Sequence, residues 1–498
     1  MKRSIWVVMV LFILSAGILC VTTVGVDMRK DDVTIEEVTL HGDKAALEGL
    51  HLELNANAED LMFWNVQYKP ETGEIDTEFR FGPQYAKNAS YRGIRYGIWF
   101  GLHPYTVTSM SSNVDNSSRI TQFAQLYETE GFDDVVEQIV TGVAARTKNG
   151  ETHAEYIYLK DYCEVYPLRV EISLPVGLGD VKSGIDPYVS FMQECREYFQ
   201  IPVHEDYRLE FSVRKDEKGR IQEISLSDDM YQMQSYIDVE NFSLATEYGV
   251  FFAFQGRPGS SISLDTSMIQ GEYGICYIPY VDNEGQRWAY FDDMRVIREL
   301  SKQKYLEQMA LSKDGSKVYL LMQDADILEF VMIDAETAEI IQVIPLMSRK
   351  NGDIVDLTYE YDNFIAVNIS GDSPRTLVIE KTEENRYEHV MTAQATDVIE
   401  MGVSVYRSYY GFNNELEWSD DLTNMTMAWD GERLAVAAFT EAYYYFPCSF
   451  HLAVYDRSGL LYCGKHINSL DVLRDSEMRG SSDLCKPDEV DTWSLSWK

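Results

Sequence analysis

Residues Tyr305 to Leu346, YLEQMALSKDGSKVYLLMQDADILEFVMIDAETAEIIQVIPL, decide the fold. They read as four short strands: Leu306 to Ser312, Val318 to Met322, Ile327 to Asp334 and Ile340 to Leu346. Turns at Lys313-Asp314-Gly315 and at Ala335-Glu336-Thr337 separate them. Four strands in about 42 residues, with an Asp-Gly turn after the first, is the sequence pattern of one β-propeller blade.

Working outward toward the C-terminus, two further segments repeat the grouping. One is Ile354 to Tyr361, Phe364 to Ser370, Arg375 to Thr382 and Arg386 to Thr392; the other is Met425 to Trp429, Arg433 to Thr440, Ser449 to Asp456 and Leu460 to Ile467. The three groups share landmarks: a first turn at Asp314-Gly315, Asp362-Asn363 and Asp430-Gly431, and an acidic end to the third strand at Asp334, Glu380 and Asp456. On the N-terminal side, Phe242 to Tyr248, Val250 to Gln255, Tyr273 to Val281 and Met294 to Leu300 make another group, with an insertion between its second and third strands. The turn Lys313-Asp314-Gly315-Ser316-Lys317-Val318-Tyr319 resembles the DG-x-x-[VL]-[YW] turn of the YVTN/WD40-like propeller superfamily, over Tyr305 to Ile467. No Trp-Asp dipeptide closes a blade and no Gly-His pair opens one. The resemblance implies a fold shared by proteins of many roles. The expectation is an all-β chain: a propeller of about seven four-stranded blades over 59–498. Two stacked β-sandwiches would also explain many short strands, but not four-strand groups with a common first turn.

Earlier in the chain, Val135 to Thr147 and Glu151 to Leu159 read as a hairpin across Asn149-Gly150, with further strands at Arg92 to Gly101 and Tyr166 to Leu174. The serine-rich Met110 to Thr121 reads as an exposed loop. Tyr207 to Lys215 and Arg220 to Leu226 form another hairpin. One inserted helix is expected near 187–200. Asp186 caps it, Pro187 suits its first position, and Tyr188, Phe191, Met192, Cys195 and Phe199 share one face.

At the N-terminus, Lys2 and Arg3 precede an uncharged run from Ile5 to Val26, 22 residues or about 33 Å as a helix, a bilayer's hydrocarbon thickness. Residues 1–26 are therefore expected to be a signal-anchor helix in the membrane, with 27–58 a short stalk and leading strands and the body outside the cytoplasm. Cleavage would make the chain secreted, and Cys20 would be a lipidation site only if a small residue preceded it, where Leu19 stands.

Among 498 residues, 43 are basic and 81 acidic, a formal charge of −38 spread along the chain. Such a surface repels phosphate backbones, so nucleic acid is excluded as a partner. Seven widely spaced cysteines are not a disulfide framework; Cys448 and Cys463 fall in adjacent strands of one blade, where a bridge or two thiols both fit. The eight histidines are scattered singly, and no P-loop, Rossmann, zincin or nucleophile-elbow motif occurs. No catalytic, cofactor or metal residues are assigned. His204-Glu205-Asp206, Asp324 with Asp326, and Asp282-Asn283-Glu284-Gly285 read as solvated turns. Tyr409, Tyr410, Tyr443, Tyr444 and Tyr445, in inter-strand loops of the late blades, are the candidate ligand-binding residues, since exposed Tyr offers a rigid surface for a peptide or sugar ring.

These readings point to a non-catalytic, membrane-anchored extracytoplasmic propeller that binds an unidentified protein, peptide or glycan. The alternatives are a glycan- or peptide-acting hydrolase or lyase, and a structural subunit of a membrane complex docking through the helix near 187–200.

Overall fold

The computed structural model describes residues 2–27, 34–58, 62–81, 96–102, 115–124, 132–179, 186–227, 239–256, 264–348, 354–370, 375–383, 386–394, 425–439, 449–468 and 490–498. The chain is mostly β and divides into two compact units, one built from 1–93 with 348–498, the other from 94–347.

Among the described residues the first unit holds three antiparallel sheets. Sheet I runs in the order Val490–Trp497, Leu50–Ala58, Met62–Lys69, Glu74–Phe81, so the last strand of the chain pairs beside the leading strand Leu50–Ala58. Sheet IV is the meander Ile354–Glu360, Phe364–Ser370, Arg375–Glu383, Arg386–Gln394. Sheet V is the meander Met425–Trp429, Leu434–Phe439, Ser449–Asp456, Gly459–Asn468, extended to five strands by Ile35–Gly42 at its outer edge.

Alternation along sheet V explains the packing. Met427, Trp429, Leu434, Val436 and Ala438 bury one face against Phe364, Ala366, Val378 and Met391 of sheet IV. Ala435, Ala437, Phe450, Leu452 and Val454 bury the other against Leu50, Leu52, Leu54, Val66 and Tyr68 of sheet I. A period-two strand apolar on both faces can only be satisfied by a sheet on each side. The many alanines let the sheets approach closely.

In the second unit, sheet II carries Val239–Ala245, Gly249–Gly256, Gly274–Asn283 and Arg295–Glu299. Sheet III carries Lys304–Leu311, Lys317–Asp324, Ile327–Asp334 and Ile340–Ser348, the expected blade strand for strand. Phe251, Ala253, Ile275 and Tyr277 of sheet II pack on Leu306, Val318, Leu320, Met322 and Val331 of sheet III. The shared aspartates explain the shared turns. Asp314 Oδ1 accepts the Ser316 amide at 2.9 Å, Asp334 Oδ1 the Thr337 amide at 2.8 Å, Asp430 Oδ1 the Glu432 amide at 2.8 Å and Asp456 Oδ1 the Ser458 amide at 2.7 Å. Each is a side chain mimicking a backbone turn.

Three corrections follow. First, the expected single inserted helix is, among the described residues, one of three α-helices that follow the N-terminal one. Besides the N-terminal helix α1 (Lys2–Asp27), they are α2 (Asn116–Ala124), α3 (Phe132–Arg146) and α4 (Pro187–Tyr198). Second, the stretch Val135 to Thr147, expected as a strand, is α3. Its valines and isoleucines favour a strand locally, yet Val136, Ile139, Val140 and Val143, all buried, follow helical spacing, and burial of that stripe decides the outcome. Asn149-Gly150 is consequently a helix-to-strand turn, with Gly150 at φ +78°. Third, the serine-rich segment becomes helical from Asn116, after Asp115 accepts the Ser118 amide at 3.0 Å.

Helix α4 begins as its sequence dictates, Asp186 Oδ1 accepting the Tyr188 amide at 2.8 Å with Pro187 at the first position. Helices α2 and α3 lie with the three-stranded sheet Thr152–Tyr158, Arg208–Lys215, Ile221–Ser227, their apolar residues sharing one core with Leu209, Phe211, Val213 and Ile224. The N-terminal run folds as one 26-residue helix. The side chains at both its ends lie outside the described residues, and among the described residues no helix is long and apolar enough to cross a membrane.

Candidate functional site

Between the strands Gly274–Asn283 and Arg295–Glu299 of sheet II, after the third strand and not at the insertion expected between the second and third, the chain forms a hairpin that builds a groove. Gly274–Asn283 turns into Gln286–Ala289 through Glu284 and Gly285, at φ 55° and 81°. Two consecutive left-handed residues define a type I′ turn. The Gly285 amide donates to Asp282 Oδ1 at 3.0 Å, so the acidic run 282–285 is a turn and not a cation loop.

Onto this hairpin the short strand Gly177–Leu178 pairs in parallel, Gly177 beside Trp288 and Leu178 beside Ala289. Glycine is required there. A Cβ on Gly177 would stand 2.7 Å from the Trp288 ring, and one on Gly179 would stand 2.0 Å from the Tyr290 ring, so the backbone lies directly on two aromatic faces. The groove that results measures about 510 Å³ and is lined by Leu174, Pro175, Val176, Gly177, Gln286, Arg287 and Trp288. Arg287 Nη1 donates to the Glu247 carbonyl at 2.7 Å, which fixes the guanidinium. On the same hairpin the Tyr280 hydroxyl is buried with no hydrogen-bond partner among the described residues, and burial holds its phenol above the usual range.

This lining can stack a flat ring or pyrrolidine on Trp288 and donate hydrogen bonds from Arg287 and Gln286. Among the described residues its lining side chains are apolar, amide, guanidinium and indole.

A second polar constellation, in the first unit, is buried. His466 faces Glu37 on one neighbouring strand and Phe450 on the other, and its ring stacks on Phe450 at 4.9 Å and 6°. Its Nδ1 shares a 3.1 Å hydrogen bond with the Tyr68 hydroxyl. Nε2 has no partner among the described residues. Burial holds the imidazole down at about 4. Tyr462 donates to Glu37 at 2.6 Å, and Lys44 pairs with the same carboxylate at 2.6 Å. Burial pushes Glu37 up, but the bonds from Lys44, Tyr462 and Thr39 outweigh it and leave the carboxyl below its usual range. His466 is fully buried, and this cluster fastens the strand Ile35–Gly42 to sheet V.

The candidate tyrosines Tyr409, Tyr410, Tyr443, Tyr444 and Tyr445 lie outside the described residues, as does Cys448, so the Cys448–Cys463 pairing does too. His204 Nδ1 accepts the Asp206 amide at 3.2 Å in an exposed turn, and Asp324 pairs with Lys304 at 2.8 Å. Among the described residues no group of His, Cys, Asp or Glu is arranged to hold a metal ion. Sequence reasoning missed Trp288. The only signal was the Glu-Gly turn, and it does not show which aromatic the hairpin presents to a strand far away in sequence, Gly177 pairing beside Trp288.

No family model matches the chain, and no curated protein matches it either. Among solved structures, the chain is similar to hydrazine synthase of Kuenenia stuttgartiensis at 13% identity and a TM-score of 0.19, over 44% of this chain and 46% of that one, so it spans less than half of that protein's length. It is similar to a putative 6-phosphogluconolactonase of Bacteroides uniformis at 11% identity and a TM-score of 0.26, over 83% and 94%. It is also similar to the WD40 domain of SCAP from fission yeast at 8% identity and a TM-score of 0.22, over 87% and 76%. Likenesses of this size transfer no activity, ligand or partner to this chain.

Proposed function

We propose that this chain is a membrane-anchored, extracytoplasmic β-propeller of the YVTN/WD40-like kind that binds a peptide or glycan and performs no chemistry. The observation that carries the reading is the Trp288 groove, which offers an aromatic face, a tethered guanidinium and an amide. That combination is suited to a ligand presenting flat apolar faces and hydrogen-bond acceptors, such as a sugar ring or a proline-containing segment. The blade-like order of sheets II to V supports the propeller. The anchor is supported by α1, whose Phe12 is 75% exposed and whose Leu19 and Val21 are exposed to a similar degree, an apolar surface that water does not stabilise. The charge of −38 makes an acidic polymer an unsuitable ligand.

The test is capture from glycan and peptide arrays by the full chain in detergent. Trp288→Ala is expected to weaken capture at least about tenfold, the loss of one stacking contact, while the thermal midpoint stays within a few degrees. Tyr443→Ala with Tyr445→Ala serves as the second arm. Capture that survives Trp288→Ala and fails in the tyrosine variant would move the site to the late loops, and turnover of any captured compound would replace binding by catalysis.

A further inference from the structure

The hairpin strand Gln286–Ala289 carries more hydrogen-bond donors at its outer edge than the chain has acceptors for. The turn Glu284-Gly285 makes Asn283 and Gln286 a hydrogen-bonded pair, so Arg287 and Ala289 turn their backbone groups away from Gly274–Asn283. The Gly179 amide takes the Ala289 carbonyl there at 2.9 Å. The short strand reaches only to Gly177, beside Trp288, and Val176 and Pro175 line the groove instead of pairing. The Arg287 amide, one position beyond the pairing, therefore opens into the groove, with no strand beside it among the described residues.

Residues directly opposite on a hairpin share a face, which places Arg287 and Asp282 on the face of Tyr280 and Ala289. Arg287 Nη1 is bonded to the Glu247 carbonyl at 2.7 Å, while Nε and Nη2 have no partner among the described residues. Nor has the Tyr280 hydroxyl, which is buried and lies within the field of the same guanidinium. Asp282, the carboxylate opposite Arg287, accepts the Gly285 amide at 3.0 Å and makes no ion pair with Arg287 among the described residues. A tethered cation beside a buried hydroxyl that lacks an acceptor points to an acceptor supplied from outside the chain.

We propose that the groove takes the carboxyl-terminal end of a peptide, its terminal carboxylate on the Arg287 amide and guanidinium and its last side chain, apolar or a proline, against Trp288. The inference rests on the Trp288 groove being the ligand site and names what fills it. A carboxylate is the acceptor that meets an amide and a guanidinium together, through charge-assisted bonds that are shorter and stronger than neutral ones. Trp288 and Gln286 lie on the opposite face from Arg287, and a carboxylate and a side chain diverging from one Cα reach the two faces across the edge of the strand. The charge of −38 decides between carriers of a carboxylate. A polyuronate is repelled at every ring, whereas a peptide end brings one carboxylate and can bring lysines that the acidic surface attracts.

The probe is an array of tetrapeptides ending in proline, leucine or phenylalanine, each present as the free acid and as its carboxamide, offered to the full chain in detergent beside a glycan array. Free acids are expected to be held at least about tenfold more tightly than their carboxamides, with lysine-containing members ahead of glutamate-containing ones at low salt. Arg287→Gln should cut the acid-to-amide ratio several-fold and Arg287→Lys should retain part of it, while the thermal midpoint of both stays within a few degrees, since the residue is exposed. The ratio, unlike the affinity, is not moved by a merely structural role of the bond to Glu247. Acids and carboxamides held equally, a ratio unmoved by Arg287→Gln, or capture confined to glycans would each overturn the inference, and loss of that capture in Trp288→Ala would leave the groove standing as the site. Peptide capture that survives Trp288→Ala, or no capture at all, would overturn both.

Discussion

His466 is fully buried, stacked on Phe450 and bonded to Tyr68 through one nitrogen, with the other nitrogen unpartnered. The fold around it presents Glu37 and Lys44 from the leading strand and its following turn, His451 from the neighbouring strand, and the Tyr68 and Tyr462 hydroxyls. Only Glu37 would welcome a proton on the ring, and burial outweighs it, holding the imidazole at about 4 against 6.5 when exposed. The sign follows. Between those values the unfolded chain binds a proton that the folded chain refuses, so stability is complete above about 6.5, falls as the pH drops toward 4, and loses nothing further from this group below that. The loss amounts to about 3 kcal/mol. Denaturant titrations from pH 7 to 4 should show it, and His466→Gln, which cannot charge, should flatten that part of the profile. An unchanged slope in the variant would assign the acid sensitivity to other groups. Gly464 belongs to the same constellation, because a Cβ there would stand 2.0 Å from the Tyr462 hydroxyl that Glu37 accepts.

At the scale of elements, α3 shows where local preference and tertiary packing part company. Six β-branched residues in Val135 to Val143 favour an extended chain by propensity. The helix wins because Val136, Ile139, Val140 and Val143 all reach the core shared with Leu209 and Phe211, while Asp133 and Asp134 in the first turn and Arg146 in the last complement the dipole. Gly142 sits inside this helix, and a Cβ there would meet only the flexible end of Arg146 at 3.4 Å. Gly142→Ala is therefore expected to stabilise the chain by about 0.5 to 1 kcal/mol, read as a rise in the urea midpoint with an unchanged slope. A fall would show that Arg146 cannot move aside without losing its pairing with Glu155.

At the scale of the molecule, closure between chain ends and net charge dominate. The C-terminal strand Val490–Trp497 completes sheet I beside Leu50–Ala58, and Ile35–Gly42 extends sheet V, so the first unit is assembled from both ends of the chain. A charge of −38 acts against compactness through self-repulsion. Raising sodium chloride from roughly 0.02 to 0.5 M, which shortens the screening length from about 20 Å to about 4 Å, should raise the thermal midpoint by several degrees in the full chain. A midpoint that is flat or falls with salt would mean that pairs such as Arg298 with Glu329 and Lys304 with Asp324 outweigh the repulsion.

The amino-acid sequence by itself determined the four-stranded groups: sheets II, III, IV and V follow the strands read from alternation and from the Asp turns, because a turn's geometry and a strand's two faces are set by residues close in the chain. It also determined α4, whose cap, proline and apolar stripe all lie within 14 residues, Asp186 to Phe199. Only the tertiary structure decided that Val135 to Thr147 is helical, that Val490–Trp497 belongs beside Leu50–Ala58, that His466 is sealed between Phe450 and Tyr68, and that Gly177 meets Trp288. Each of these depends on which surface is covered by residues far along the chain, and burial, unlike a turn, has no local signature.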